Sequence, residues 1–142
     1  MIEQATKKLV LAHLWVAFAA FALACVLGEY QVLERSGFIE ALNSAPVYFA
    51  SVSTHGVLMA FVLTTFGIMG FGYYFAVTSL NQPLWQPKLA WLGFAIALTG
   101  VVLAAIPLLL GKASVLYTFY PPIIAHASFY LGATLLVVGS WL

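Results

Sequence analysis

The chain has 142 residues, of which 64% are hydrophobic and only 6% charged, with a mean hydropathy of +1.06. Polar groups this sparse cannot cover the surface of a water-soluble globule of that length, so the chain belongs in a bilayer. Five Lys/Arg against four Glu give a formal charge of +1, which gives no support to nucleic-acid binding or to a basic membrane-surface module; with no Asp in the chain there is also no Ser-His-Asp set.

Four apolar segments follow in order, at about 9–30, 48–79, 88–110 and 121–142. Each approaches or exceeds the roughly 20 residues a helix needs to cross a hydrocarbon core of about 30 Å. The expected fold class is therefore all-α: an integral membrane helix bundle of about four transmembrane helices. The first segment follows Lys7-Lys8 and is longer than the apolar region of a signal peptide, and further spans come after it, so it reads as a retained helix. The polar stretch 31–47, with Glu34, Arg35, Glu40 and Asn43, reads as an extramembrane connection. Asn81-Gln82-Pro83 and Pro87 punctuate the turn into the third segment. The third ends near Gly111-Lys112, and Pro121-Pro122 suit the first turn of the fourth helix, where missing amide hydrogens cost little. That helix reaches Ser140-Trp141-Leu142 without a cap or polar exit, the pattern expected of a helix cut short and of an N-terminal part (1–142) of one membrane domain. Lys7, Lys8 and Lys88 on one side against Arg35 and Lys112 on the other favour a cytoplasmic N-terminus.

His55 is the first candidate for chemistry. It sits in the second apolar segment, in a stretch with no charged residue between Glu40 and Lys88, and an ionisable side chain at membrane depth reads as functional. Gly56, Ala60 and Thr64 follow at four-residue spacing, a small-residue stripe along which a planar group or another helix can approach closely. Spacing alone leaves both readings open: a metal-ligating imidazole, or a helix-packing stripe with a histidine bonded to neighbouring backbone. His13, near Lys7-Lys8, reads as an interfacial residue with its polar tip toward water, and His126 as a residue one turn into the fourth helix. The chain has no His-x-x-x-His, Glu-x-x-His or Cys-x-x-Cys pair, so local motifs do not assemble a complete metal site. The single cysteine, Cys25, forms no disulfide within the chain and reads as a packing residue. The aromatic run Val115-Leu-Tyr-Thr-Phe-Tyr-Pro-Pro122 would by itself be an interfacial belt.

Taken together, Ser53-Thr-His-Gly-Val-Leu58 and Val115-Leu-Tyr-Thr-Phe-Tyr-Pro-Pro122, in this order and separation, resemble the catalytic subunit of haem-copper oxygen reductases. The likeness runs from about Leu9 to the last residue and includes Leu27-Gly28-x-x-Gln31 and Ala105-Ile-Pro-Leu-Leu109. The turn Leu80-Asn-Gln-Pro-Leu-Trp-Gln-Pro87 lacks the acid that A-type relatives carry there, which makes the likeness closest to the B-type.

The resemblance implies that His55, beside Gly56, is one axial ligand of a low-spin haem b. It also implies that Tyr117 and Tyr120 lie near the oxygen route or the high-spin haem. The second low-spin ligand, the high-spin haem ligand and the copper ligands are expected from later helices of the full-length subunit. The implied activity is cytochrome c oxidase: reduction of dioxygen to water with electrons from cytochrome c, coupled to proton translocation across a prokaryotic inner membrane. Implied partners are the remaining helices of the same subunit, other oxidase subunits, cytochrome c and the lipid bilayer. The isolated 142 residues are expected to be inactive and not to hold haem stably. In this frame Cys25, about five residues before the exit of helix one, lies at a depth similar to His55, and its thiol or an adjacent carbonyl is expected to orient the imidazole. A nitric oxide reductase of the same superfamily would share the helix-two histidine, and a non-catalytic membrane subunit would share the composition.

Overall fold

The structure is a computed structural model that describes residues 3–39, 45–113, 115–116 and 119–142. Among the described residues every regular element is a helix, and the sole extended pairing is an isolated bridge between Ala113 and Ala125. Helix α1 spans Gln4–Arg35. Helix α2 (Ala45–Val57) runs through a π-helical segment (Leu58–Leu63) into α3 (Thr64–Leu80), and α4 (Pro87–Leu109) and α5 (Ala127–Ser140) complete the bundle.

Among the described residues, three helices are long and apolar enough to cross a membrane: Gln4–Arg35, the continuous Ala45–Leu80 and Pro87–Leu109. Helix α5 is apolar but has 14 residues. At 1.5 Å per residue, the 32 residues of α1 extend about 48 Å, well beyond a hydrocarbon core of about 30 Å. Its start and end therefore run past the apolar stretch 9–30. Backbone hydrogen bonding continues where the side chains turn charged, and hydropathy does not register that.

The fourth helix begins later than the prolines suggest. Lys112 and Ala113 pair back with Ala125 and His126: the amide of His126 donates to the carbonyl of Lys112 at 3.1 Å, alongside the Ala113–Ala125 bridge. Pro121-Pro122 lie in this returning loop, and α5 starts at Ala127. His126 is its N-cap, not a residue inside it; the backbone is extended there and Nδ1 accepts the Ser128 amide at 3.3 Å, satisfying one of the first-turn donors.

Neighbouring helices run antiparallel. The late part of α1 (Ala24, Gly28) meets His55 early in the second span, while His13, early in α1, meets Gly70 and Tyr73. Helices α4 and α5 touch backbone to backbone: a Cβ on Gly100 would lie 2.5 Å from the Gly132 carbonyl oxygen, and one on Gly139 would lie 2.5 Å from the Ala97 nitrogen. Small residues are what hold such a pair in lipid, where burial of apolar surface gives no advantage over acyl chains and close van der Waals contact does. Ala17, Ala20, Val62, Phe66, Ala97 and Leu136 form one core shared by α1, the second span, α4 and α5; Val57, Ala104, Leu108, Val115 and Phe129 belong to a second.

Candidate metal-ligand site

Two hydroxyls of α2 are satisfied within their own helix. Ser51 Oγ donates to the Tyr48 carbonyl at 2.7 Å and Thr54 Oγ1 to that of Ala50 at 2.8 Å, the back-bonding that short polar side chains adopt in apolar surroundings. His55 has no such outlet in its own helix. Its Nδ1 instead lies 2.8 Å from the carbonyl oxygen of Ala24, across on α1. A carbonyl only accepts, so Nδ1 carries the hydrogen, and in the neutral ring Nε2 is then left with its lone pair.

Room for this crossing comes from Gly28. A Cβ there would sit 3.2 Å from His55 Cε1 and 3.4 Å from Nδ1, so the glycine is what lets the ring lie against the α1 backbone. Cys25 adjoins the accepting carbonyl, yet its thiol is exposed; the hydrogen bond runs to the backbone of Ala24 and not to sulfur.

Directly after His55 the helix changes pitch. The π segment Leu58–Leu63 widens the turn by one residue, a distortion common at functional sites. It interrupts the four-residue stripe read from the sequence: Gly56 is half-buried, whereas Ala60 within the widened turn and Thr64 just after it lie exposed, with Thr64 Oγ1 folded back to the Ala60 carbonyl at 2.6 Å. No described helix covers that face.

Beside Thr54 and Val57 lies a cavity of about 170 Å³ with a wholly apolar lining, bounded by α2, the π segment, α4 and α5. Phe61 and Phe119 stack across it at 5.2 Å, and Phe119 meets Phe129 edge to face at 5.2 Å. Tyr120 is exposed. Tyr117 lies outside the described residues. Among the described residues no three His, Cys, Asp or Glu side chains converge on one point.

His13 is placed differently from the sequence expectation. It is fully buried and its polar tip does not reach water, with Nδ1 2.9 Å from the Leu9 carbonyl and its ring among Phe66, Tyr73 and Phe94 at 4.8 to 5.7 Å. The reason is the length of α1: with about two and a half turns of helix before it, residue 13 falls opposite α3 and α4. Of the two contributors to the His55 site, the Ala24 carbonyl is the carbonyl adjacent to Cys25 that the sequence reading offers beside the thiol, whereas the space made by Gly28 is not read there; a glycine inside an otherwise strong apolar helix is the available signal.

The family described as cytochrome c and quinol oxidase polypeptide I matches residues 8–142. The chain is 36% identical over 144 aligned positions to cytochrome c oxidase subunit 1 of Thermus thermophilus, an alignment covering 95% of this chain and 25% of that protein. It also superposes with a TM-score of 0.90 and 38% identity on a chain of a haem-copper terminal oxidase dimer solved by cryo-electron microscopy, over 98% of this chain and 24% of the other. The chain thus spans about a quarter of the length of these relatives. Its sequence match, its helical membrane architecture and its fold together show that it belongs to the cytochrome c and quinol oxidase polypeptide I family.

Proposed function

We propose that this chain is part of the catalytic subunit of a B-type haem-copper oxygen reductase, and that His55 supplies one axial ligand of its low-spin haem b. The observation that carries the reading is the 2.8 Å contact from His55 Nδ1 to Ala24 O, because a backbone acceptor on one ring nitrogen fixes the tautomer and orientation that the other needs to ligate iron. The haem, when bound, supplies one-electron transfer. His55 holds the plane of approach, Gly28 makes space for the ring, and Gly56 keeps the neighbouring backbone free of bulk.

The second axial ligand, the high-spin haem and the copper site are proposed to come from parts of the subunit outside these 142 residues. The whole protein is proposed to reduce dioxygen to water with electrons from cytochrome c and to translocate protons, within a multi-subunit complex in a prokaryotic inner membrane. His55 is proposed to lie toward the non-cytoplasmic side, about seven residues or roughly 10 Å below the outer end of its helix. The apolar cavity beside Phe119 suits passage of a small apolar gas, and Tyr117 and Tyr120 are proposed to lie near this route or the high-spin haem.

The test is to express residues 1–142 alone and together with the remaining helices of the subunit, and to record pyridine-haem and reduced-minus-oxidised spectra. Low-spin bands recovered only on complementation, and lost with His55→Ala, are expected. Stoichiometric six-coordinate haem in the 142 residues alone would show a second ligand within them and overturn the proposal.

A further inference from the structure

Ser53 behaves unlike six other Ser and Thr residues of the bundle. Ser51, Thr54, Thr64, Thr78, Thr99 and Thr134 all donate back to carbonyls three or four residues earlier in their own helices. The Ser53 hydroxyl instead leaves its helix and accepts the backbone amide of Leu116 at 3.0 Å, 63 residues away. Ser53 is fully buried, as is Val115 next to that amide.

The segment it holds is conformationally demanding. Leu116 and Phe119 have φ of +52° and +55°, the left-handed region that side chains other than Gly, Asn and Asp seldom adopt. The Phe119 amide closes back on the Val115 carbonyl at 3.1 Å, and the Phe119 ring stacks on Phe61 as part of the cavity lining. One helix therefore holds this turn at two points, the Ser53 hydroxyl and the Phe61 ring, with His55 between them.

We infer that Ser53 is a positioning residue: its hydroxyl locks the turn of Val115, Leu116 and Phe119 onto the helix that carries His55, and so fixes one wall of the apolar cavity. This rests on the oxidase reading only for what the cavity admits, a small apolar gas such as dioxygen; the anchor itself is a property of the chain. Without the acceptor, the Leu116 amide is left unpaired, the turn relaxes from its left-handed backbone, and Phe119 shifts against Phe61.

The experiment uses the full-length assembled subunit with four changes at one position. Ser53→Ala and Ser53→Val remove the acceptor, Ser53→Thr keeps it, and Val and Thr match each other in bulk, so overpacking cancels between them and a failure of Ser53→Ala to assemble leaves the Thr/Val pair to decide. Ser53→Cys, a weak acceptor, is expected to fall between. Hydrogen exchange with fragmentation resolving the Leu116 amide reads the anchor: protection retained with Thr and lost with Ala and Val is expected. Oxygen-consumption kinetics read the role: Val should raise the apparent KM for dioxygen severalfold more than it lowers kcat, and Thr should restore it. Unchanged Leu116 protection in both Ala and Val would overturn the anchor. Lost protection with unchanged kinetics would overturn the positioning role. A wild-type preparation without haem bands or oxygen uptake would overturn the oxidase reading and the cavity role with it, while the exchange data still report on the anchor.

Discussion

The imidazole of His55 and the backbone carbonyl of Ala24 lie 2.8 Å apart across two antiparallel helices. That one contact joins residues 31 positions apart, and the space for it is Gly28, whose missing Cβ would otherwise stand 3.2 Å from the ring.

Substituting that glycine tests the arrangement. Gly28→Ala gains up to about 1 kcal/mol of helix propensity, so a simple stability measurement should change little or rise. The ring, however, must yield by a few tenths of an ångström, which lengthens the bond to Ala24. The assembled protein is therefore expected to show a shifted low-spin haem midpoint potential in redox titration; Gly28→Val, with more bulk at the same place, should lose the low-spin bands. A wild-type potential in Gly28→Ala would mean that the glycine does not set the ring position.

Cys25 separates thiol from carbonyl. Since the thiol is exposed and the acceptor is the Ala24 oxygen, Cys25→Ala should leave the low-spin haem potential where it was. A clear shift on that substitution would point to sulfur as the group that orients His55.

The α4–α5 contact tests the packing argument. Gly132→Ala places a Cβ 2.5 Å from the Gly100 carbonyl oxygen, a backbone atom that no rotamer change can move. Overpacking of this kind costs about 1–3 kcal/mol, more than the gain of about 1 kcal/mol from helix propensity. Thermal unfolding in detergent should show a net loss. Gly67→Ala, with nothing within 4 Å of the new Cβ, should show neutrality or a gain. Equal behaviour of the two variants would refute the close approach.

His13 makes the opposite case. Its Nε2 is buried without a partner, and an unsatisfied buried polar atom costs about 1–3 kcal/mol. His13→Phe keeps the bulk among Phe66, Tyr73 and Phe94 and removes that atom, so it should be neutral or stabilising by thermal unfolding, with oxygen uptake intact. His13→Ala, which opens a cavity, should be destabilising by a few kcal/mol. Loss of uptake in a folded His13→Phe protein would give this histidine a role that packing does not.

The sequence by itself determined the membrane class, the all-helical fold and the prominence of His55, because these follow from local quantities: hydropathy over twenty residues, proline and glycine punctuation, and an ionisable group in an apolar run. It also carried the family likeness, through short motifs that survive as strings. Helix ends were less legible. The extension of α1 to Arg35 depends on backbone bonding past the apolar stretch, and the start of α5 at Ala127 depends on the Lys112–His126 closure, which prolines alone do not reveal. The partners were decided by tertiary structure alone. That Ala24 accepts from His55, that Ser53 holds Leu116, and that His13 is enclosed by aromatic rings are all contacts between segments far apart in the chain. Their geometry depends on helix lengths, on the antiparallel register and on the π turn that re-phases the second span, and none of these leaves a periodic trace in a single sequence.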